Sequence, residues 1–291
     1  MKWYLWLIGI VLIVEVAVVG YLAYKKYFQL NPKRANLSSI MIGSHPSIPS
    51  FSGAKADSNP DLSEKLIYPS ELINLTNWKI TLPIRKYSDQ SGPLEVKQPE
   101  LATYMINPWF IASTDGGILF RAPVKGETTS GSDYPRSELR EMVNNGRDKA
   151  AWNSREGTHK MIVEEAVTAV PKKKRHVVTA QIHDSSDDVI VIRLDFPKLY
   201  INVDGKHVHT LDANYNLGER FTVQFVVNGG KTKVYYNNQS NPSYILDKNY
   251  SGAYFKAGAY TQSNCDKEGS SLCRDDNYGE VVIYKLAVTH K

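Results

Sequence analysis

The chain has 291 residues, 42% hydrophobic and 22% charged, with 19 glycines, 14 prolines and a formal net charge of +5 at pH 7. That balance excludes a disordered or collagen-like chain and is large enough for one sizeable globular domain. The small positive excess suits an acidic partner, but no helix-turn-helix, zinc-finger or RNA-binding signature accompanies it, so nucleic acid is not expected as a partner.

In chain order, residues 3–24 are apolar apart from Glu15, and about 20 such residues span a bilayer. Trp3, Tyr4 and Trp6 at one end and Tyr21, Tyr24 and Tyr27 at the other suit the two membrane interfaces. Residues 1–30 are therefore expected to form an N-terminal transmembrane helix, an uncleaved anchor in preference to a signal segment, whose apolar core is usually only about 7–15 residues. Lys25, Lys26, Lys33 and Arg34 come after the span while Lys2 alone precedes it, so the positive-inside tendency assigns the C-terminal part of the chain to the cytoplasm. Residues 31–64, rich in Ser, Pro, Gly and Asn, read as a flexible linker.

A folded domain is expected over 65–291. Pro69-Ser70-Glu71-Leu72 starts a short helix and Trp78 to Pro83 a strand. Alternating apolar segments then occur at 118–122, 138–143, 158–170, 176–183, 189–195, 198–203, 221–228, 231–236, 253–262 and 279–289. Asp204-Gly205 is a two-residue hairpin signal and Asn228-Gly229-Gly230 a second turn. This pattern predicts an all-β fold, an antiparallel β-sandwich of jelly-roll type whose concave sheet forms a cleft. The basic run Lys172 to Arg175 reads as a solvated loop. Cys265 and Cys273 close a local disulfide if the compartment is oxidising and are otherwise two free thiols. No Cys-x-x-Cys or His-x-x-x-His spacing supports zinc, and no metal site is expected.

Three stretches carry chemistry. Read as a strand, residues 254–264 put Lys256, Gly258, Tyr260, Gln262 and Asn264 on one face, with Phe255, Ala257, Ala259, Thr261 and Ser263 on the other. Gly258 in the polar row would let a ligand approach the backbone. The same alternation gathers Arg136, Glu138 and Arg140, and separately Gln181 and His183. Side by side, these strands would line a groove with two guanidinium groups, a carboxylate, an amide, an imidazole, a phenol and an amine. That set binds anions and transfers protons. The plainer readings are a solvated sheet face, a cross-strand charge ladder and a strand-end histidine.

With these motifs in this order, the chain from roughly Leu66 to Lys291, including the opening Trp78-Lys-Ile-Thr-Leu-Pro83, resembles the alginate lyases of polysaccharide lyase family 7. The resemblance implies a β-jelly roll that cleaves a 1,4-linked polyuronate by β-elimination, with Arg136, Gln181, His183 and Tyr260 as the catalytic set. The chemistry needs such residues. Removing the C5 proton beside an ionised carboxylate builds up an aci-carboxylate dianion, which the guanidinium of Arg136 and the amide of Gln181 could hold. Tyr260 is assigned as acid, and as base for at least one epimer, with His183 the base for the other. A phenol titrates near 10 in water, so as a base it needs positive charge close by, for which Arg136, Arg140 and Lys256 are candidates. Glu138, Arg140, Lys256, Gln262 and Asn264 are expected to bind substrate, Glu138 chiefly by orienting the two arginines. Ile182 in the Gln-Ile-His motif is similar to members that accept guluronate-containing blocks.

The partner expected is alginate or a related acidic polysaccharide, met by a monomer without metal or organic cofactor. The alternatives are a lyase acting on another polyuronate such as glucuronan, and a non-catalytic membrane-tethered module that binds acidic polysaccharide. A glycoside hydrolase is disfavoured, since it needs two carboxylates flanking the bond, and Asp187-Asp188 and Asp275-Asp276 read as loop acids. An external polymer requires the domain outside the cytoplasm, membrane-anchored or secreted after cleavage, contrary to the positive-inside reading.

Overall fold

The computed structural model describes residues 66–87 and 90–291. The apolar span 3–24 and the linker, with the anchor and orientation expected of them, lie outside the described residues. Among the described residues no helix is long and apolar enough to cross a membrane.

The domain opens with the short helix α1 (Pro69–Leu72), where proline sits in the first turn and the Glu71 carboxylate accepts the Tyr68 N–H at 2.9 Å. The first eight strands are β1 (Trp78–Tyr87), β2 (Gln90–Val96), β3 (Phe110–Ala112), β4 (Ile118–Pro123), β5 (Arg136–Val143), β6 (Asp148–Lys149), β7 (Thr158–Ala169) and β8 (His176–His183). After them come β9 (Asp188–Asp195), β10 (Lys198–Val203), β11 (Lys206–Asp212), β12 (Phe221–Asn228), β13 (Lys231–Tyr236), β14 (Tyr244–Asp247), β15 (Tyr254–Thr261), the short helix α2 (Cys265–Glu268) and β16 (Tyr278–His290).

Among the described residues these strands form two antiparallel sheets. One runs β11-β10-β9-β8-β15-β5-β1-β2 with β6 paired to β5, and the other β14-β13-β12-β7-β16-β4-β3. They pack as a sandwich. Leu139, Ile182, Phe255 and Ala257 from the first sheet and Phe120, Val163, Phe225 and Ile283 from the second are all at 0% exposure in the shared core. Burying each of the larger side chains stabilises the fold by about 1.5–3 kcal/mol, which fixes the register: a one-residue slip would exchange this row for the polar one.

Strands β8, β10, β12 and β13 begin and end where alternation predicts. Asp204 and Gly205 turn the β10–β11 hairpin with φ of 50° and 74°. Strands β2, β3, β6 and β14 escape the sequence reading because β2 contains Gly92 and Pro93 and the other three are too short to show a period. Cys265 and Cys273 are joined by a disulfide. Next to it, the Glu268 carboxylate accepts the backbone N–H groups of Lys173 and Lys174 at 2.8 Å each, so the basic run has an anchored backbone beneath mostly exposed side chains.

Candidate active site

The three chemical stretches, far apart in sequence, are adjacent strands in the middle of one sheet. Strand β15 lies between β8 and β5, with Lys256 opposite both Gln181 and Arg140 and Tyr260 opposite Arg136. A bulge between Ala257 and Tyr260 shifts the register against β8. Gly258 sits there with φ of +141°, and a Cβ would lie 2.5 Å from the Ser137 carbonyl oxygen and 2.9 Å from the Glu138 Cα. Alternation predicts that this glycine makes room for a ligand. Instead, the β5 backbone occupies that space, and glycine is needed for the close approach of two strands.

The outer face of this sheet carries a cavity of about 360 Å³ lined by Arg136, Arg140, Gln181, His183, Lys256 and Tyr260, among others. Beneath it lies Glu138, 1% exposed. Its Oε1 accepts from Gln181 Nε2 at 2.5 Å, and its Oε2 meets Lys256 Nζ at 2.5 Å and Arg136 Nη1 at 3.2 Å. Burial pushes the Glu138 carboxyl up, but Lys256 and Arg136, with hydrogen bonds from Lys256 and Gln181, outweigh it and hold the group below the usual carboxylate range. Burial pulls the Lys256 ammonium down to about 8 against the opposing pull of Glu138, so both members of the pair are charged at neutral pH.

Above this base, the Arg136 guanidinium carbon lies 3.8 Å from the Tyr260 ring centroid. Such a cation–π contact contributes about 0.5–2 kcal/mol and fixes the ring's position. Tyr260 Oη is 2.7 Å from Ser132 Oγ. Across the cavity, His183 Nδ1 is 2.8 Å from the Asp184 carbonyl oxygen. A carbonyl only accepts, so Nδ1 carries the hydrogen, and in the neutral ring Nε2 is left as the basic nitrogen. The His183 ring stacks on Tyr254 at 5.2 Å, and Arg140 covers the same tyrosine at 3.9 Å. Among the described residues no three of His, Cys, Asp or Glu are grouped as metal ligands.

A family model described as alginate lyase matches residues 73–290. The chain belongs to this alginate lyase family. A solved alginate lyase from Corynebacterium sp. is 48% identical, with a TM-score of 0.73 over 78% of this chain and 100% of that one. A solved alginate lyase of polysaccharide lyase family 7 is 49% identical, with a TM-score of 0.71 over 77% of this chain and 99% of its own. The alginate lyase of Klebsiella pneumoniae is 26% identical over 290 residues, which cover 76% of this chain and 91% of that protein. This protein is accordingly a polysaccharide lyase acting on alginate.

The lyase brings Arg136, Arg140, Gln181, His183, Lys256 and Tyr260 together as alternation predicts. It departs from the sequence reading at three positions. Glu138, expected to bind substrate and to orient both arginines, is shut beneath the cavity and holds Arg136, Lys256 and Gln181, while Arg140 donates to the backbone carbonyls of Glu141 and Ala150. Gln262 does not line the cavity: its Oε1 accepts from Arg193 Nη1 at 3.3 Å. Asn264 caps α2, accepting from the Lys267 N–H at 3.0 Å and donating to the Asp133 carbonyl at 3.2 Å. Both lie beyond the last residue of β15: Gln262 still points to the outer face, where it meets Arg193 to the side of the cavity, and Asn264 belongs to the turn into α2.

The pair Asp187-Asp188, read as loop acids, lies on the lyase's cavity wall, with Asp188 opening β9. Burial, and then Asp187, push the Asp188 carboxyl up. Sequence reasoning also misses Tyr254, the Lys79–Glu95 pair on the cavity wall and Ser132. Lys79 shares a face with Thr81 in the predicted first strand, a signal that could have found it. Ser132, on a loop, carries no periodic signal.

Proposed function

We propose that this alginate lyase cleaves the 1,4 linkage with Arg136, Gln181, His183 and Tyr260 as its catalytic set and accepts guluronate-containing blocks. The observation that carries the reading is the common cavity of a phenol, an imidazole with Nε2 as its basic nitrogen, and a guanidinium and an amide anchored by one buried carboxylate. Arg136 and Gln181 hold the substrate C6 carboxylate as negative charge builds on it, and the Glu138 anchor keeps both donors oriented before substrate arrives. Lys256 and Arg140 grip carboxylates and hydroxyls of the chain.

Mannuronate and guluronate are C5 epimers, so the proton to be removed lies on the same side as O4 in one and on the opposite side in the other. For mannuronate, Tyr260 takes the C5 proton and returns it to O4. For guluronate, His183 Nε2 takes the proton from one face and Tyr260 protonates O4 from the other. Ile182 is fully buried in the core, so any block preference it carries acts through the placement of Gln181 and His183 and not through contact with sugar.

The test is the ultraviolet absorbance of the unsaturated uronate formed from polyguluronate, polymannuronate, mixed-block alginate and glucuronan. Tyr260→Phe is expected to reduce turnover by at least about 100-fold while leaving alginate binding largely intact. Undiminished turnover removes Tyr260 from the mechanism, and no cleavage of polyguluronate or mixed-block alginate removes the block reading. The polymeric substrate, the apolar stretch 3–24 and the disulfide together support a jelly-roll domain working outside the cytoplasm, tethered or released. Fractionation of the host cell decides that assignment.

A further inference from the structure

We infer that Ser132 is the positioning residue that returns a proton to Tyr260 after guluronate is cleaved, an inference that rests on the acid–base roles given above. Ser132 lies in the loop before β5. Its Oγ accepts the Tyr134 N–H at 3.1 Å and stands 2.7 Å from Tyr260 Oη, whereas the other acceptor within its reach, the Tyr134 carbonyl, is at 3.4 Å. The loop is held from two sides. The Asn264 amide donates to the Asp133 carbonyl, and the Thr261 N–H to the Pro135 carbonyl at 3.1 Å. Asn264 itself is the cap of α2, next to the Cys265–Cys273 disulfide. Ser132 is half-buried between exposed neighbours Gly131 and Asp133, so one side of the hydroxyl faces Tyr260 and the other is within reach of water.

The proton balance assigns the task. When guluronate is cleaved, the C5 proton goes to His183, the C4–O bond breaks as the C4–C5 double bond forms, and O4 takes the Tyr260 proton. Tyr260 is left as phenolate. With the phenol hydrogen aimed at O4, the hydrogen bond between the two hydroxyls runs from Ser132 to Tyr260, so Ser132 passes its proton to the phenolate as it takes one from water in the same step, while His183 releases its own to solvent. When mannuronate is cleaved, Tyr260 starts as phenolate, takes the C5 proton and hands it to O4, so it ends as it began and no outside supply is needed.

The full-length chain carrying Ser132→Ala, Ser132→Thr or Tyr260→Phe is assayed on polyguluronate and polymannuronate by absorbance, at constant pH and ionic strength, with rising imidazole buffer. Ser132→Ala is expected to lower kcat on polyguluronate about tenfold with KM near the wild-type value, the size of one lost hydrogen bond. It is expected to affect polymannuronate less and to recover part of its rate as buffer acid replaces the hydroxyl. Ser132→Thr, which keeps the hydroxyl, retains most of the activity. An unchanged kcat in Ser132→Ala, or a loss that buffer does not relieve, overturns the inference, and the buffer response decides even where only polyguluronate is cleaved. If Tyr260→Phe remains active, the underlying acid–base reading fails. If Tyr260→Phe is inactive while Ser132→Ala matches wild type, only the relay fails.

Discussion

Glu138, beneath the cavity, and Glu165, inside the sandwich, are 1% and 0% exposed, and they differ in the company they keep. Glu138 meets an ammonium, a guanidinium and an amide, which together hold it ionised. Glu165 receives a hydroxyl hydrogen from Thr179 at 2.6 Å on one oxygen, and its other oxygen has no partner. Burial, only partly opposed by that hydrogen bond, pushes its carboxyl up to about 8, so it is neutral at pH 7. Depth alone therefore does not set the charge; the donors that replace water do. A buried ion network of this kind is a poor source of stability compared with well-packed apolar residues, so the cluster around Glu138 is better explained by the positions it fixes than by any strength it adds.

The strongest test of this contrast is the same substitution at both sites. Glu138→Gln leaves Lys256 and Arg136 without their carboxylate and should cost about 3 kcal/mol of stability. It should also cost at least about 100-fold in turnover, because Arg136 and Gln181 lose their shared anchor. Glu165→Gln, replacing a neutral group by a neutral one of the same shape, should stay within about 1 kcal/mol near pH 4 and be the more stable form at pH 7, where wild type must take up a proton to fold, with near-normal activity. Denaturant unfolding and the absorbance assay on both variants decide, and equal losses would erase the distinction.

The second effect is carried by pH. The folded state keeps the Glu165 proton up to about 8, whereas the unfolded chain releases it near the ordinary value of 4.5. Within that window the native state binds more protons, so stability falls as pH rises, by up to about 1.4 kcal/mol per pH unit. Denaturation midpoints measured across that range should slope downward for wild type and flatten in Glu165→Gln; parallel curves would show Glu165 already ionised.

The smallest effect belongs to Lys256. Because burial lowers its ammonium to about 8, its charge is lost as pH rises through that value, and KM for alginate should climb by a few-fold while kcat changes less. Lys256→Arg, with a guanidinium that stays protonated, should move the rise to higher pH. A KM that stays flat in the wild type would separate Lys256 from substrate binding.

Much of the site was legible in the sequence because a β-strand has a period of two. Arg136 and Arg140, Gln181 and His183, and Lys256 and Tyr260 had to share faces once their segments were strands, and the burial of Leu139, Ile182 and Phe255 decided which face turned outward. The same rule put Gln262 and Asn264 with the cavity residues, but it does not show how far along the sheet the cavity reaches, and neither residue lines it. It also missed the partners that come from loops or from irregular strands, such as Ser132 and Glu95.

The order of the residues along the chain thus determined the chemical inventory, the strand faces and the family, because local alternation and motif spacing are written in neighbouring positions. Only the tertiary structure decided that β15 lies between β5 and β8, that Gly258 serves the approach of one backbone to another, and that Glu138 is ionised while Glu165 is not. The physical reason is that charge and reactivity depend on which donors replace lost water, and several of those donors arrive from other strands, as with Gln181 and Glu138 at a separation of 43.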